Sequence, residues 1–265
     1  RRGWSYLDFD GNDYVSSSSA ITAFSTNLFS VSAWVRADST SQDAIFSNSN
    51  GATGDYFFLS INPTGSLGVG IGTSSEWKHR YNTTEIVQDK WHLITYVREG
   101  TGTNQSKWYI DGSLVDTATD STNWLAGSGW HIGAYSDASG YLDGAISQLA
   151  IFHNKALSAS EVLEQYTNGI AINFTTSEIT HHWVLNDETT ATDLINGNNG
   201  TVNGATLNVG NNGTVNNTPD SITIREGLNS NRDGLGFYFT NPSSNVIRLK
   251  REHNEYLNIG VFDNN

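Results

Sequence analysis

Apolar and polar residues alternate along most of this chain with a period of two, in short runs separated by clusters of Gly, Ser, Thr, Asn and Asp. Such runs read as half-buried β-strands. Expected strands are Tyr6–Phe9, Phe29–Arg36, Asp43–Ser47, Tyr56–Ile61, Leu67–Ile71, Trp91–Arg98, Lys107–Ile110, Ser113–Thr117, Trp130–Ala134 and Gly144–Phe152. Turn clusters recur about every 8–15 residues and no helix separates the strands, which predicts an all-β antiparallel sandwich. The clearest local signal is Trp91–Gly112. There an apolar strand, a polar loop and the strand Lys107-Trp108-Tyr109-Ile110 are closed by Asp111-Gly112. An Asp-Gly pair between alternating apolar residues marks a type I′ hairpin turn, which needs positive φ at both central positions.

One short helix is expected, over about 159–167. Ser158 and Glu161 form a capping box, Leu157 and Val162 occupy the hydrophobic-staple positions, and Asn168-Gly169 supplies a left-handed stop. A helix this short is stable only when docked on a sheet.

The character of the chain changes after residue 170. Residues 171–220 hold five acids and no Lys or Arg, and Asn, Gly and Thr dominate. Asn198–Asn203 and Asn211–Asn216 both read NNGTVN, thirteen residues apart, as a pair of related strand–turn elements. Residues 221–265 balance five acids with five bases and contain the strand-like Ile222–Arg225, Gly236–Thr240, Val246–Lys250 and Tyr256–Ile259. The expected organisation is therefore a sandwich over 1–170, a strand–turn segment over 171–220, and over 221–265 a β-rich extension or incomplete second copy.

Composition narrows the chemistry. With 37% hydrophobic and 11% aromatic residues in 265, the chain can build a sizeable core. It has no cysteine, which removes disulfides, thiolate nucleophiles and Cys-ligated zinc. A net charge of −13 disfavours nucleic acid as a partner. No apolar run approaches the ~20 residues that span a bilayer. The chain begins at Arg1 and contains no Met, so it reads as processed, trimmed or part of something longer.

Catalytic patterns are sparse. Glycoside hydrolysis needs two facing carboxylates, yet no Glu-x-Asp-x-x-Glu strand occurs, and acids such as Asp10, Asp13, Asp111 and Asp143 fall in turns. No Gly-x-Ser-x-Gly elbow, phosphate loop or dinucleotide fingerprint is present. His181 and His182 are adjacent on an expected strand and would point to opposite faces, a poor chelate. Asp8-Phe9-Asp10-Gly11-Asn12-Asp13 mimics part of a calcium loop without its terminal Glu and reads as a strand end and turn. Sugar binding needs an exposed aromatic platform beside polar groups. Trp77, Tyr81 and Trp124 lie in polar stretches expected to be loops, with His79, Arg80, Asn82 and Asn123 nearby. These rings suit sugar contact, and suit equally the capping of a sheet edge or an interface with another subunit.

Several segments together resemble one family. Leu7–Val15 resembles its opening strand and turn, and Phe29–Val35 its early core strand. Trp91–Tyr96 with Trp108–Gly112 resembles its central hairpin, Ile132-Gly133 with Leu142–Ile146 its late strand pair, and Ala156–Val162 its closing helix. The combination, over about residues 4–170, resembles the laminin G-like, concanavalin A-like jelly roll in its pentraxin-related bacterial and phage branch. The family often carries an acidic pair after the Gly-x-Ile of the late strand; here Ser147 and Gln148 stand there, so no role transfers. By position in the pentraxin branch, Asp55 and Asp137 correspond to two calcium-ligand loops, which makes calcium the one candidate cofactor. Leu249–Ile259 echoes the opening strand, and Asp233–Phe237 resembles tails of marine phage structural proteins.

The resemblance implies fold more firmly than function, since this sandwich hosts lectins, adhesins, hydrolases and virion proteins. The expected role is a non-enzymatic virion component, a capsid decoration or fibre, contacting other subunits or its own copies and host cell-surface glycans. The alternatives are a secreted or cell-surface bacterial lectin or adhesin assisted by calcium, and a polysaccharide-cleaving enzyme.

Overall fold

The computed structural model describes residues 5–21, 27–39, 41, 43–49, 56–73, 76–121, 129–135, 139–170, 178–209, 222–226 and 235–239. The chain divides into two units, Arg1–Gly210 and Asn211–Asn265. In the first unit the elements in order are β1 (Ser5–Asp10), β2 (Tyr14–Ser17), β3 (Phe29–Ala37), β4 (Asp43–Ser49), β5 (Tyr56–Ile61) and β6 (Ser66–Thr73). Next come β7 (Glu76–Glu85), β8 (Trp91–Arg98), β9 (Ser106–Ile110), β10 (Ser113–Ala118), β11 (Gly129–Ile132), β12 (Asp143–His153) and helix α1 (Ala159–Asn168). The unit closes with β13 (Ile179–Val184), β14 (Thr190–Asp193), β15 (Gly200–Asn203) and β16 (Thr206–Val209).

Every pairing is antiparallel, and two sheets face each other. The first runs β10-β9-β8-β3-β12. The far edge of β12 is shared, with β1 pairing at 143–146 and β13 at 148–152, and β16 extends the sheet beyond β1. The second runs β7-β6-β5-β4-β11-β2-β15. The short strand β14 joins the two by pairing with β13 through Thr192 and Asp193 and with β15 through Thr190 and Ala191. On the opposite side, Thr83 N–H of β7 donates to the Asp116 carboxylate of β10 at 3.1 Å, so the free edges of both sheets meet. Edges covered in this way do not template aggregation.

The core between the sheets is aromatic. Trp183 stacks on Phe46 at 6.2 Å and leans on Trp130 at 4.7 Å, while Tyr96 meets Trp108 edge-on at 5.3 Å. Val31, Val35, Ile94 and Ile146 of the first sheet bury themselves against this cluster with Leu59, Val69 and Ile132 of the second. A smaller apolar cluster lies on the outer face of the first sheet, where Leu157 and Val162 cover Trp34, Leu93, Val97 and Phe152. It anchors α1. The capping box forms as the sequence implies, with Ser158 N–H donating to Glu161 at 2.7 Å and Glu161 N–H to Ser158 Oγ at 3.3 Å. Gly169 ends the helix at φ 108°, ψ 159°, a glycine-favoured conformation distinct from the left-handed helical stop expected there. The hairpin turn has the expected form, with Asp111 at φ 52° and Gly112 at φ 81°.

Two sequence expectations require correction. Residues 76–85, expected as loop, form the edge strand β7, whose many charged and polar residues hide the strand signature. Residues 179–209, expected outside the sandwich, supply four of its strands, because their partners β12, β2 and β1 lie far away in sequence. The boundary falls after Gly210 rather than at 170. The second unit contains an antiparallel pair, β17 (Ile222–Glu226) and β18 (Leu235–Phe239), with Ile222 opposite Phe239.

Candidate functional site: the outer face of the second sheet

Strand alternation dictates what the second sheet shows to solvent. In β2, Val15 is buried in the core, so Tyr14 and Ser16 face out. In β11, Trp130 and Ile132 are buried and His131 faces out; in β15, Val202 packs inward and Thr201 and Asn203 face out. The register aligns these outward positions. Thr201 lies opposite Ser16, Ser16 opposite His131, His131 opposite Ser47, and Ser47 opposite Phe58. Asn203 lies opposite Tyr14.

Three half-buried rings gather there. Tyr14 sits 5.7 Å from His131 and 6.1 Å from Tyr141, both tilted. Beside them stand hydroxyls and an amide from Ser16, Thr201 and Asn203; the Asn203 amide reaches Ser16 Oγ at 3.5 Å. The result is an aromatic ledge bordered by neutral hydrogen-bonding groups. At its foot Asp13 accepts from Asp10 N–H at 3.1 Å, and burial pushes its carboxyl up. This contact also identifies Asp8–Asp13 as a strand end and turn.

Toward β7 the same face becomes packed. Gly68, Gly70 and Gly72 of β6 lie opposite Tyr81, His79 and Trp77. A Cβ on Gly68 would come within 2.5 Å of the Tyr81 ring and 2.8 Å of Ser60 Oγ. The Tyr81 ring thus fills the space that Gly68 leaves, and the Phe58 ring the space that Gly70 leaves, an arrangement that stabilises glycine-rich strands. Phe58 meets Tyr135 edge-on at 4.9 Å.

The sequence-derived site residues therefore separate. Tyr81 is 39% exposed on the outer face, and positions 77 and 79 alternate with it in register. Arg80 is exposed and lies opposite Val69, off this face. Asn82 is buried, its Oδ1 accepting from Leu67 N–H at 2.7 Å, which makes it a structural residue of the β6–β7 pair rather than a sugar contact. Asn123, Trp124, Asp55 and Asp137 lie outside the described residues. Among the described residues no group of three or more His, Asp or Glu is placed to hold a metal ion. No helix among them is long and apolar enough to cross a membrane.

The ledge itself, Tyr14, His131 and Tyr141, was not singled out from sequence. Its signal was present in Tyr14-Val15-Ser16, where one buried Val puts both neighbours on the other face. His181 and His182 diverge as strand geometry requires. His181 stacks on Trp183 at 5.0 Å, and its ring Nδ1 hydrogen-bonds the Asp193 carboxylate at 2.8 Å. His182 is buried, and desolvation holds its imidazole below the usual histidine range against the opposing pull of Asp193.

A family profile described as the concanavalin A-like lectin/glucanases superfamily matches residues 9–163, more than half of the chain. The chain belongs to this family. Among solved structures it is similar to a protein from Bacteroides ovatus assigned to carbohydrate binding (TM-score 0.60, 14% identity, covering 79% of this chain and 60% of that one). It is also similar to the native heptameric SAP-like pentraxin from Limulus polyphemus (TM-score 0.54, 16% identity, 78% and 95% covered). The chain thus spans less than two thirds of the Bacteroides protein, and identities this low speak for the fold alone. No curated protein matches it significantly. In this concanavalin A-like sandwich, α1 covers part of the first sheet's outer face, while the ledge lies on the outer face of the second.

Proposed function

We propose that this concanavalin A-like sandwich is a recognition module without a reactive centre, and that it binds glycan on the outer face of its second sheet. The observation that carries the reading is the ledge: half-exposed Tyr14, His131 and Tyr141 beside Ser16, Thr201 and Asn203. A pyranose stacks its C–H face on a ring while its hydroxyls take hydrogen bonds from neutral side chains. The absence of a reactive centre is supported by the duties of several carboxylates. Asp8 and Asp38 hold Arg36, Asp111 holds His92, Asp120 pairs with Arg98, Asp193 holds His181, and Glu161 caps α1.

The proposed setting is an extracellular particle, where the chain decorates a virion and contacts other subunits, its own copies or host glycans. The phage-like Asp233–Phe237 motif and the family's bacterial and phage branch support it. The alternative setting is a secreted or cell-surface lectin assisted by calcium at Asp55 and Asp137.

A glycan array with the full chain identifies the best-binding oligosaccharide. Tyr14→Ala and Tyr141→Ala are each expected to weaken its binding about tenfold, equivalent to about 1.4 kcal/mol. Unchanged affinity in both variants contradicts the ledge. Loss of binding on chelation and in Asp55→Asn and Asp137→Asn selects the calcium-assisted lectin. Release of new reducing ends from the bound polysaccharide contradicts the non-enzymatic reading, and absence from every particle fraction contradicts the virion setting.

A further inference from the structure

Charge is distributed unevenly around the ledge. The strands that build it, β2, β11 and β15, carry no Lys or Arg. Every Lys and Arg between residues 5 and 210 is placed elsewhere. Arg36, Arg98, Lys107 and Lys155 belong to the first sheet or its connection to α1, and each pairs with a carboxylate, of Asp38, Asp120, Glu99 and Glu161 respectively. Lys90 immediately precedes β8 of the first sheet. Positions 78 and 80 of β7 lie opposite Ile71 and Val69, out of phase with the outward row at 77, 79 and 81. Acids, in contrast, gather at one end of the ledge. Asp13 directly precedes Tyr14, and Asp143 follows Tyr141 by two residues and lies opposite Asp10. Gly11 N–H, in the turn between Asp10 and Asp13, donates to the Leu142 carbonyl at 3.1 Å, which holds that turn against Asp143. Burial pushes the Asp13 carboxyl up, and the Asp10 and Asp8 carboxylates push the same way against the Asp10 amide, which lowers it.

We propose that the ledge takes neutral glycans and rejects acidic ones, with Asp10, Asp13 and Asp143 as the groups that set this choice. The inference rests on the ledge being the glycan site. A neutral pyranose meets ring faces at Tyr14 and Tyr141 and uncharged partners at Ser16, Thr201 and Asn203. A uronate, sialate or sulfate brings its charge beside like charges, gives up hydration against the rings, and finds no Lys or Arg on the ledge strands to replace it. The net charge of −13 adds repulsion of polyanions at longer range. Of the three rings only His131 can become cationic, so the choice is sharpest above the ordinary imidazole value of about 6.5.

The test uses matched sugars on a polyacrylamide carrier that differ only at C6: galactose with galacturonic acid, glucose with glucuronic acid, and mannose with mannuronic acid. They are titrated against the full chain at about pH 8, where imidazole is ordinarily neutral. At about 10 mM salt, where the Debye length is roughly 30 Å, the neutral member of the best-bound pair is expected to bind at least about tenfold tighter. At about 1 M salt, where that length is roughly 3 Å, the gap should shrink to about threefold or less. Asp10→Asn/Asp143→Asn should narrow the low-salt gap by strengthening the acidic sugar alone; unchanged affinity for the neutral sugar shows that this variant is folded. Equal or tighter binding of the acidic sugar, weakened by Tyr14→Ala, overturns the charge selection and leaves the ledge standing. Binding indifferent to both Tyr14→Ala and Tyr141→Ala contradicts the ledge, and the selection falls with it. A neutral preference that survives both high salt and the double variant assigns the choice to shape and overturns the role of these carboxylates. Failure of the chain to bind either member of any pair overturns the inference as well.

Discussion

Asp193→Ala is expected to destabilise the sandwich by about 3–5 kcal/mol, the range found when one member of a buried, hydrogen-bonded charge cluster is removed. The Asp193 carboxylate is fully buried and accepts from the N–H groups of His182, Ile195 and Asn198 and from the His181 ring. Burial pushes its carboxyl up, but the His181 ring and the amides of His182 and Ile195 outweigh it and hold the group below its ordinary value. Its stabilisation is therefore complete above the ordinary value of 3.8 and is lost as pH falls through the lower folded value. Alanine leaves four donors facing a void. The same turn carries Asn198, which ties Trp130 and Trp183 together, so the loss spreads into the core. In a domain of this size the melting temperature should fall by about 10 °C. Urea titration at neutral pH checks this; a loss below about 1 kcal/mol would mean that water replaces the carboxylate.

Arg98→Met should cost a similar amount, for a different reason. The Arg98 side chain is fully buried at the end of β8, with Nη1 3.6 Å from the Asp120 carboxylate and Nη2 donating to the Asp120 carbonyl at 3.1 Å. Methionine keeps most of the volume but leaves Asp120, itself nearly inaccessible, charged and without its cation. Breaking one side of such a pair costs about 3–5 kcal/mol, whereas replacing both partners with apolar residues is often close to neutral. Arg98→Met with Asp120→Leu should therefore recover much of the loss. Urea denaturation of both singles and the double closes the cycle. Additive losses would show that each residue acts through other contacts.

What could be read from the sequence follows from where the physics is local. Phe29–Val35 and Trp91–Arg98 declare themselves through apolar density, Asp111-Gly112 through a turn that needs positive φ twice, and α1 through its capping box. β7 was missed because it is an edge strand of mostly polar and charged residues, whose Tyr81 rests on Gly68 of β6, so no buried apolar alternation marks it. β13–β16 were missed because Asn, Gly and Thr dominate there and the strands gain order only by pairing with β12, β2 and β1. The ledge was only partly legible: Tyr14-Val15-Ser16 shows which face Tyr14 takes, but Tyr14 lies more than a hundred residues from His131 and Tyr141 and meets them only in the folded sheet. Asn82 misled because its polar loop-like surroundings conceal a buried backbone acceptor role.

The most direct test of the central claim is an amide-resolved NMR titration of the full chain with the oligosaccharide that binds it best. The account predicts shifts concentrated at Tyr14–Ser17, Gly129–Ile132, Tyr141 and Gly200–Asn203, with α1 and the outer face of the first sheet unmoved. Shifts centred on α1, or none at any of these strands under saturating ligand, would contradict it.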